Sequence, residues 1–219
     1  MKNSATIETG EAGGGAGSFY DSIAHLYDLT FRFNQYGRSL EKYLRANLMP
    51  LHGGARILDA GCGTGLLTLA LMKVLEHPAS INAIDLSASS LVKARRAVRD
   101  KLRHTPHHVN FAQANVLALP FANASFELIV TSGALEYVPI SEGMTELARV
   151  LAPGGYLLHL PVRPSPASKL LEIMFRFKTH PPRAVAEHTE RHFRIVRQHH
   201  FLPFEPIGWT KTAVLAQKI

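Results

Sequence analysis

Residues 57–65, Ile-Leu-Asp-Ala-Gly-Cys-Gly-Thr-Gly, carry an apolar run straight into three glycines at alternate positions, and an apolar stretch from Leu66 to Leu75 follows at once. A buried strand entering a glycine turn that opens a helix holds a nucleotide-type ligand at the carboxyl end of the first strand of a parallel sheet. Glycine at 61, 63 and 65 lets the backbone reverse sharply and keeps side chains from standing between main chain and ligand. The spacing is G-x-G-x-G with Asp59 just ahead, whereas a pyrophosphate on a helix N-terminus calls for G-x-G-x-x-G. Phosphate binding is therefore not the favoured reading.

The following segments repeat a strand-then-helix rhythm. Residues 80–87, Ser-Ile-Asn-Ala-Ile-Asp-Leu-Ser, predict a second parallel strand ending in Asp85, with Ser87 as the N-cap of a helix from Ala88 to about Leu102. A carboxylate at that strand end can accept charge-assisted hydrogen bonds from vicinal ribose hydroxyls. A third strand is expected over about 109–114, leading into Asn115-Val116-Leu117-Ala118-Leu119-Pro120-Phe121, where Leu119 and Phe121 pin the loop to the sheet. A fourth covers 125–130, and residues 131–138, Thr-Ser-Gly-Ala-Leu-Glu-Tyr-Val, form the turn at the switch point where ligands lie in open parallel sheets. Glu142 to Leu151 reads as a helix stopped by the Pro-Gly-Gly of residues 153–155, before a fifth strand over 156–162. Phe193–Leu202 and Thr210–Gln217 read as a closing antiparallel pair.

Taken in order, D-A-G-C-G-T-G, the strand-end Asp85, the N-V-L-A-L-P-F segment and R-V-L-A-P-G-G resemble the motifs of the class I S-adenosylmethionine-dependent methyltransferases. The resemblance covers roughly residues 19 to 162. It implies a Rossmann-like α/β fold: an open, mostly parallel seven-stranded sheet with helices on both faces, an antiparallel last strand and an N-terminal helical cap. It implies S-adenosylmethionine as cofactor, S-adenosylhomocysteine as product, and a cofactor site of Asp59, Gly61, Cys62, Gly63, Gly65, Asp85, Leu86, Asn115, Val116 and Ser132. Asn115 stands where the family has an acid that accepts from the adenine amino group. Its amide oxygen can still accept, without charge assistance. Residues 131–138 lack the N-P-P-Y or D-P-P-Y box that stacks a flipped base, which argues against nucleic-acid methylation.

Phe19 to Asp28 is similar to the Y-D-x-x-A-x-x-Y-D opening of small-molecule and lipid-precursor methyltransferases. That resemblance implies a lid over the cofactor. Tyr20 and Tyr27, seven residues apart, fall on one helical face, either as aromatic walls beside the sulfonium or as the apolar stripe of a docking helix. A further helix from about Gln35 to Met49 completes the cap. Residues 1–18, rich in Gly, Ala, Ser and Thr, read as a disordered tail without the pattern of a signal peptide, and residues 19–219 as one methyltransferase domain.

Charge is lopsided. Residues 149–219 hold 11 Lys and Arg against 4 Asp and Glu, while residues 1–148 hold 13 of each, so the formal +7 lies in the last third. Residues 163–191 read as a substrate-side insertion. Leu170, Leu171, Ile173, Met174, Phe175 and Phe177 sit there among Lys169, Arg176 and Lys178, a mixture that suits a site mouth, peripheral contact with an anionic membrane, or a helix covering the sheet edge. A nucleic-acid partner is disfavoured, since no aromatic and basic interleaving marks a reader. The single cysteine forbids an internal disulfide, and with no apolar run long enough to span a bilayer a cytoplasmic chain is expected, peripheral at a membrane if the insertion docks. No histidine pair has metal-ligand spacing with nearby carboxylates, so no metal is expected.

The sequence thus points to transfer of a methyl group to a small-molecule or lipid-type acceptor. A phospholipid or membrane-surface N-methyltransferase and a non-catalytic cofactor-binding relative stay open as alternatives. A hydroxyl acceptor needs a base, for which His159, His188, His192, Glu136 and Tyr137 are candidates. Glu136 and Tyr137 are favoured by their place after the fourth strand. Acceptor identity and oligomeric state are not legible.

Overall fold

A computed structural model describes residues 36–47, 51–102, 105–202 and 204–219. The tail, the Tyr-Asp opening with Tyr20 and Tyr27, and the ends of the 35–49 helix lie outside these residues. Seven strands form one sheet: β1 (Ala55–Ala60), β2 (Ala79–Asp85), β3 (His108–Gln113), β4 (Phe126–Ser132), β5 (Leu151–Leu160), β6 (Phe193–His200) and β7 (Thr212–Lys218), in the spatial order β3-β2-β1-β4-β5-β7-β6. All pairings are parallel except those of β7, which runs against both β5 and β6. The order reverses between β1 and β4, the switch point expected from the sequence.

Six helices are described: α1 (Tyr36–Asn47), α2 (Leu66–Val74), α3 (Ala88–Leu102), α4 (Ile140–Val150), α5 (Pro166–Phe175) and α6 (Pro182–Glu190). Alternation along the strands sends neighbouring residues to opposite faces. Ile57, Leu128, Val130, Leu158 and Leu215 join Leu40 and Leu44 of α1 and Leu67 and Leu71 of α2 in one layer. Leu58, Ile84, Ile129, Leu157 and Ala216 join Met144 and Leu147 of α4 and Val185 of α6 on the other. Leu91 and Ala94 of α3 pack on Cys62 and Ala83, on the α1–α2 side. β1 is covered on both faces, which is why every one of its residues except Arg56 is buried and apolar Ile57 and Leu58 stand side by side. Burial of each of its Ile57 and Leu58 side chains contributes about 1.5–3 kcal/mol.

Several boundaries differ from expectation. β5 begins at Leu151, five residues early, because Leu151 pairs with Phe126 before the register shifts and Leu128 meets Tyr156. The Pro-Gly-Gly segment is that irregularity, with Gly154 at φ 72° and Gly155 placed so that a Cβ there would fall 2.9 Å from Ala152 O and 3.0 Å from Glu127 O. β4 runs on to Ser132, so Thr131 and Ser132 are strand and not loop. Residues 163–191 resolve into two different helices. α6 covers the sheet beside α4 through Val185, while α5 leaves Leu170 and Ile173 exposed (60% and 75%). α5 starts at a reciprocal cap, in which Ser165 Oγ accepts from Ser168 N–H and Ser168 Oγ from Ser165 N–H.

Candidate active site

The carboxyl ends of β1, β2, β4 and β5 meet the start of β7 along one edge of the sheet, since β7 runs the opposite way. At that edge the glycine turn is tied down by its own amides. Gly61 and Cys62 N–H both donate to Ile84 O (2.9 and 2.8 Å), Gly65 N–H to Cys62 O (2.9 Å), and Gly63 N–H to Asp85 Oδ2 (2.8 Å). With these donors spent inside the protein, the turn offers no array of free amides to a pyrophosphate, in agreement with its spacing. The three glycines have different reasons to be glycine. A Cβ at Gly61 would fall 2.2 Å from Ala134 Cβ, and one at Gly65 3.2 Å from Ala94 Cβ of α3. Gly63, at φ 53°, alone borders open space.

Of the two flanking acids Asp59 is fully buried and Asp85 partly so. Asp59 Oδ2 accepts from the Thr68 hydroxyl at 2.5 Å, while Oδ1 is shut from solvent with no hydrogen-bond partner among the described residues. Desolvation pushes the Asp59 carboxyl up to about 7, the Thr68 bond opposing it and the charge of Asp85 adding to it. Asp85 is also raised by burial, against bonds from the Ser87 and Gly63 amides. Ser87 is the N-cap expected for α3, its Oγ accepting from Ser90 N–H at 3.2 Å. Cys62 is buried beside these acids and its thiol is pushed well above the ordinary range, which leaves it no nucleophilic part. Asn115 Oδ1 accepts from Leu117 N–H at 2.9 Å, an Asx turn at the loop's start. Val116 is buried against the α4 layer, and Leu86 is 67% exposed. Leu119 is core, and Phe121 meets Phe126 edge to face at 4.9 Å. Arg149 holds this loop by donating to Leu119 O, Phe121 O and Asn123 Oδ1, a structural role.

Beyond β4 the chain makes a single 3-10 turn, Leu135–Tyr137. Glu136 points inward and is 4% exposed. Its Oε1 accepts from Val162 N–H, and its Oε2 has no partner among the described residues. Tyr137 points outward, half-exposed, with its ring centroid 5.7 Å from that of Phe177. Ser132 Oγ lies 3.4 Å from the hydroxyl of Tyr36 on α1, a phenol raised to about 12 by burial. His159 sits at the end of β5, fully buried, with neither ring nitrogen partnered among the described residues. Burial lowers it to about 4, Glu136 opposing and Lys211 and His180 reinforcing. His192 immediately precedes β6, and thus lies at the amino edge of the sheet, bonded to Thr145 at 3.1 Å. His188, in the last turn of α6, leads to the same edge. Of the five candidate bases, Glu136, Tyr137 and His159 are therefore brought to the carboxyl edge.

Sequence reasoning missed two residues here. Lys211, 2% exposed, donates from Nζ to Leu160 O at 3.2 Å. His180 places Nε2 3.0 Å from Leu135 O. The available signal for Lys211 was its position directly before an antiparallel strand, which brings its head to the edge where the parallel strands end. No group of three or more His, Cys, Asp or Glu side chains suited to a metal ion occurs among the described residues.

Residues 57–155 match the family described as a methyltransferase domain. The chain belongs to the class I S-adenosylmethionine-dependent methyltransferases. It is 33% identical over 144 residues to a demethylmenaquinone methyltransferase of Lactiplantibacillus plantarum, a match covering 64% of this chain and 60% of the relative. It is 31% identical over 157 residues to a ubiquinone/menaquinone biosynthesis C-methyltransferase of Yersinia pestis, covering 71% and 62%. These matches span about three fifths of the relatives' own length. The crystal structure of a geranyl diphosphate C-methyltransferase from Streptomyces coelicolor superposes with a TM-score of 0.69 over 83% of this chain and 76% of that one, at 16% identity. Among such methyltransferases the fold expected from the sequence, seven strands with a reversed β7, is thus borne out.

Proposed function

We propose that this chain transfers the methyl group of S-adenosylmethionine to a small-molecule or lipid-type acceptor by in-line displacement. One observation carries the reading. Asp59, near the end of β1, keeps a solvent-excluded oxygen with no partner among the described residues, beside a turn where Gly63 borders open space and Asp85 stands alongside. An unpaired buried carboxylate oxygen costs about 1–3 kcal/mol or more, so a site that carries one is suited to a cationic ligand group such as an amino-acid ammonium. Asp85, with each oxygen already accepting one amide, retains lone pairs for ribose hydroxyls. Tyr20, Tyr27, Cys62, Leu86, Asn115, Val116 and Ser132 complete the proposed cofactor contacts.

Bound there, the sulfonium supplies an electrophilic methyl carbon and leaves as a neutral thioether. The protein's contribution is placement. Glycine turn and acids fix one reactant, and the turn after β4 borders the other, an arrangement that supplies up to about 7–11 kcal/mol when reacting atoms are held near contact. The named relatives fit a lipid-type acceptor, since two are named for quinones and one for geranyl diphosphate. Calorimetry with S-adenosylmethionine tests the cofactor. An acceptor screen following S-adenosylhomocysteine release tests turnover, and cofactor binding without release in any arm would mark a non-catalytic relative.

A membrane-surface acceptor is favoured by one further observation. Leu170 and Ile173 of α5 are exposed beside Lys169, and Ser165 ties α5 through Trp209 O (2.7 Å) to a turn whose Trp209 is itself 51% exposed. We read residues 163–191 as lying on the substrate side of one domain, because Lys178 N–H donates to Glu136 O. Sedimentation with anionic liposomes that is lost in Leu170→Ser/Ile173→Ser supports this reading. Recovery of all protein in the supernatant removes it.

A further inference from the structure

The carboxyl edge holds a second set of buried ionisable groups that cofactor binding does not use. Lys211 reaches it from the start of β7, Glu136 from the turn after β4, and His159 from the end of β5. None is more than 4% exposed. The ammonium of Lys211 stands 2.8 Å from where a Cβ on Gly133 would be. Glycine at 133, at φ 79°, therefore gives the lysine its place beside the β4 loop.

Charge balances between Lys211 and Glu136, but hydrogen bonding does not. Lys211 gives a hydrogen bond to Leu160 O. Glu136 Oε2 and both nitrogens of His159 are closed to solvent and meet no partner among the described residues. These atoms are therefore available to hydrogen-bond a polar ligand group. His180, held on Leu135 O, and Tyr36, held on Ser132, are the other titratable groups that face the set, from the segment before α6 and from α1. A cavity of about 290 Å³ adjoins it. Its wall includes Val162, whose amide holds Glu136, as well as His180, Arg163, Pro161, Val185 and Ala186. That lining accepts an apolar body with a polar head.

Resting on the methyl-transfer reading above, we propose that Glu136, Lys211 and His159 form the acceptor pole, and that the acceptor reacts through an ionised phenol or enol hydroxyl. Glu136 Oε2 takes the hydroxyl proton, and the Lys211 ammonium compensates the oxyanion that remains. The acceptor's electron pair, on oxygen or on the conjugated carbon, forms the bond to the methyl carbon as the carbon–sulfur bond breaks and its pair neutralises the sulfonium. Attack from carbon leaves a hydrogen on that carbon. Neutral His159 accepts it as a proton, and the regenerated oxyanion recovers the proton held by Glu136. The net product proton leaves from His159. Oxygen attack ends with Glu136 protonated and releasing its proton to solvent.

4-Nitrophenol, whose ionised form absorbs in the visible, tests this without turnover. Its ionisation midpoint is read by absorbance with the full chain and S-adenosylhomocysteine present, and cofactor affinity is measured in parallel by calorimetry. Bound probe is expected to ionise at least about one pH unit lower than free probe, a tenfold change in its ionisation constant. Lys211→Met should abolish the shift with cofactor affinity intact. Glu136→Gln should keep the shift while lowering methyl transfer to phenolic acceptors. A bound probe that titrates like the free one in the unmodified protein overturns the proposal, whether or not any variant folds, and so does a shift that survives Lys211→Met. If calorimetry detects no cofactor binding, the methyl-transfer reading itself has failed, which separates the two outcomes.

Discussion

The Gly63 amide donates to Asp85 Oδ2 at 2.8 Å, so the turn after β1 and the end of β2 are one hydrogen-bonded unit. Removing that carboxylate loosens the turn and deletes the acceptor proposed for the ribose. Asp85→Ala is expected to weaken S-adenosylmethionine binding by about 1.5–3 kcal/mol, the scale of hydrogen bonds to a charged group. Isothermal titration calorimetry measures it, and an unchanged affinity would take Asp85 out of the site.

Gly61 and Gly63 both have positive φ, but their surroundings differ. A methyl at 61 meets Ala134 Cβ at 2.2 Å, and a methyl at 63 meets nothing within 4 Å. Gly61→Ala should therefore cost about 2–4 kcal/mol of stability, strained backbone and overpacking together. Gly63→Ala should cost only the backbone part, about 1–2 kcal/mol, yet reduce cofactor affinity more than its stability loss suggests. Urea unfolding of both variants, with calorimetry on the folded protein, separates these effects. Equal stability losses would contradict the assignment.

His159 is buried with its pKa lowered to about 4. A base depressed in the folded state contributes stability above its unfolded value near 6.5, and that contribution is lost as pH falls toward 4. The loss amounts to about 3 kcal/mol, 1.36 for each unit of the shift. Denaturant unfolding at pH 7.5 and pH 5 should thus show a smaller drop for His159→Gln than for the unmodified chain. Parallel drops would mean that the imidazole is not held neutral.

The cradle is legible in sequence because its strands are central. Ile57 and Ile81 are buried on one face and Leu58 and Ile84 on the other, so apolar residues recur on both faces of these strands, and Gly61 and Gly65 stand where a Cβ would meet Ala134 or Ala94. Glu136 is legible through its place after β4. The rest is harder for physical reasons. α6 begins at proline and buries Val185 and Thr189 among its nine residues, too sparse a stripe to separate a sheet-covering helix from an insertion. β5 starts early because of a register shift between Phe126 and Leu128 that depends on cross-strand pairing. Lys211 becomes part of the site only when antiparallel β7 and the absent Cβ at Gly133 are combined, a coincidence in space between residues far apart in the chain.

Asp59 provides the opposite pH dependence to His159. Its carboxyl is raised from 3.8 to about 7, mainly by burial, so the folded protein keeps a proton that the unfolded chain has released. Stability is full below pH 3.8 and declines as pH rises through the window to 7. Asp59→Asn removes the titration while leaving an amide oxygen to accept from Thr68. The stability of the variant relative to the unmodified chain should therefore grow between pH 5 and pH 7.5, by about 2–3 kcal/mol. A cationic group bound at the free Oδ1 favours the ionised carboxylate, so saturating S-adenosylmethionine should shrink that difference, whereas a ligand that ignores Asp59 would leave it unchanged. Denaturant titrations at the two pH values, with and without the cofactor, decide between the two outcomes.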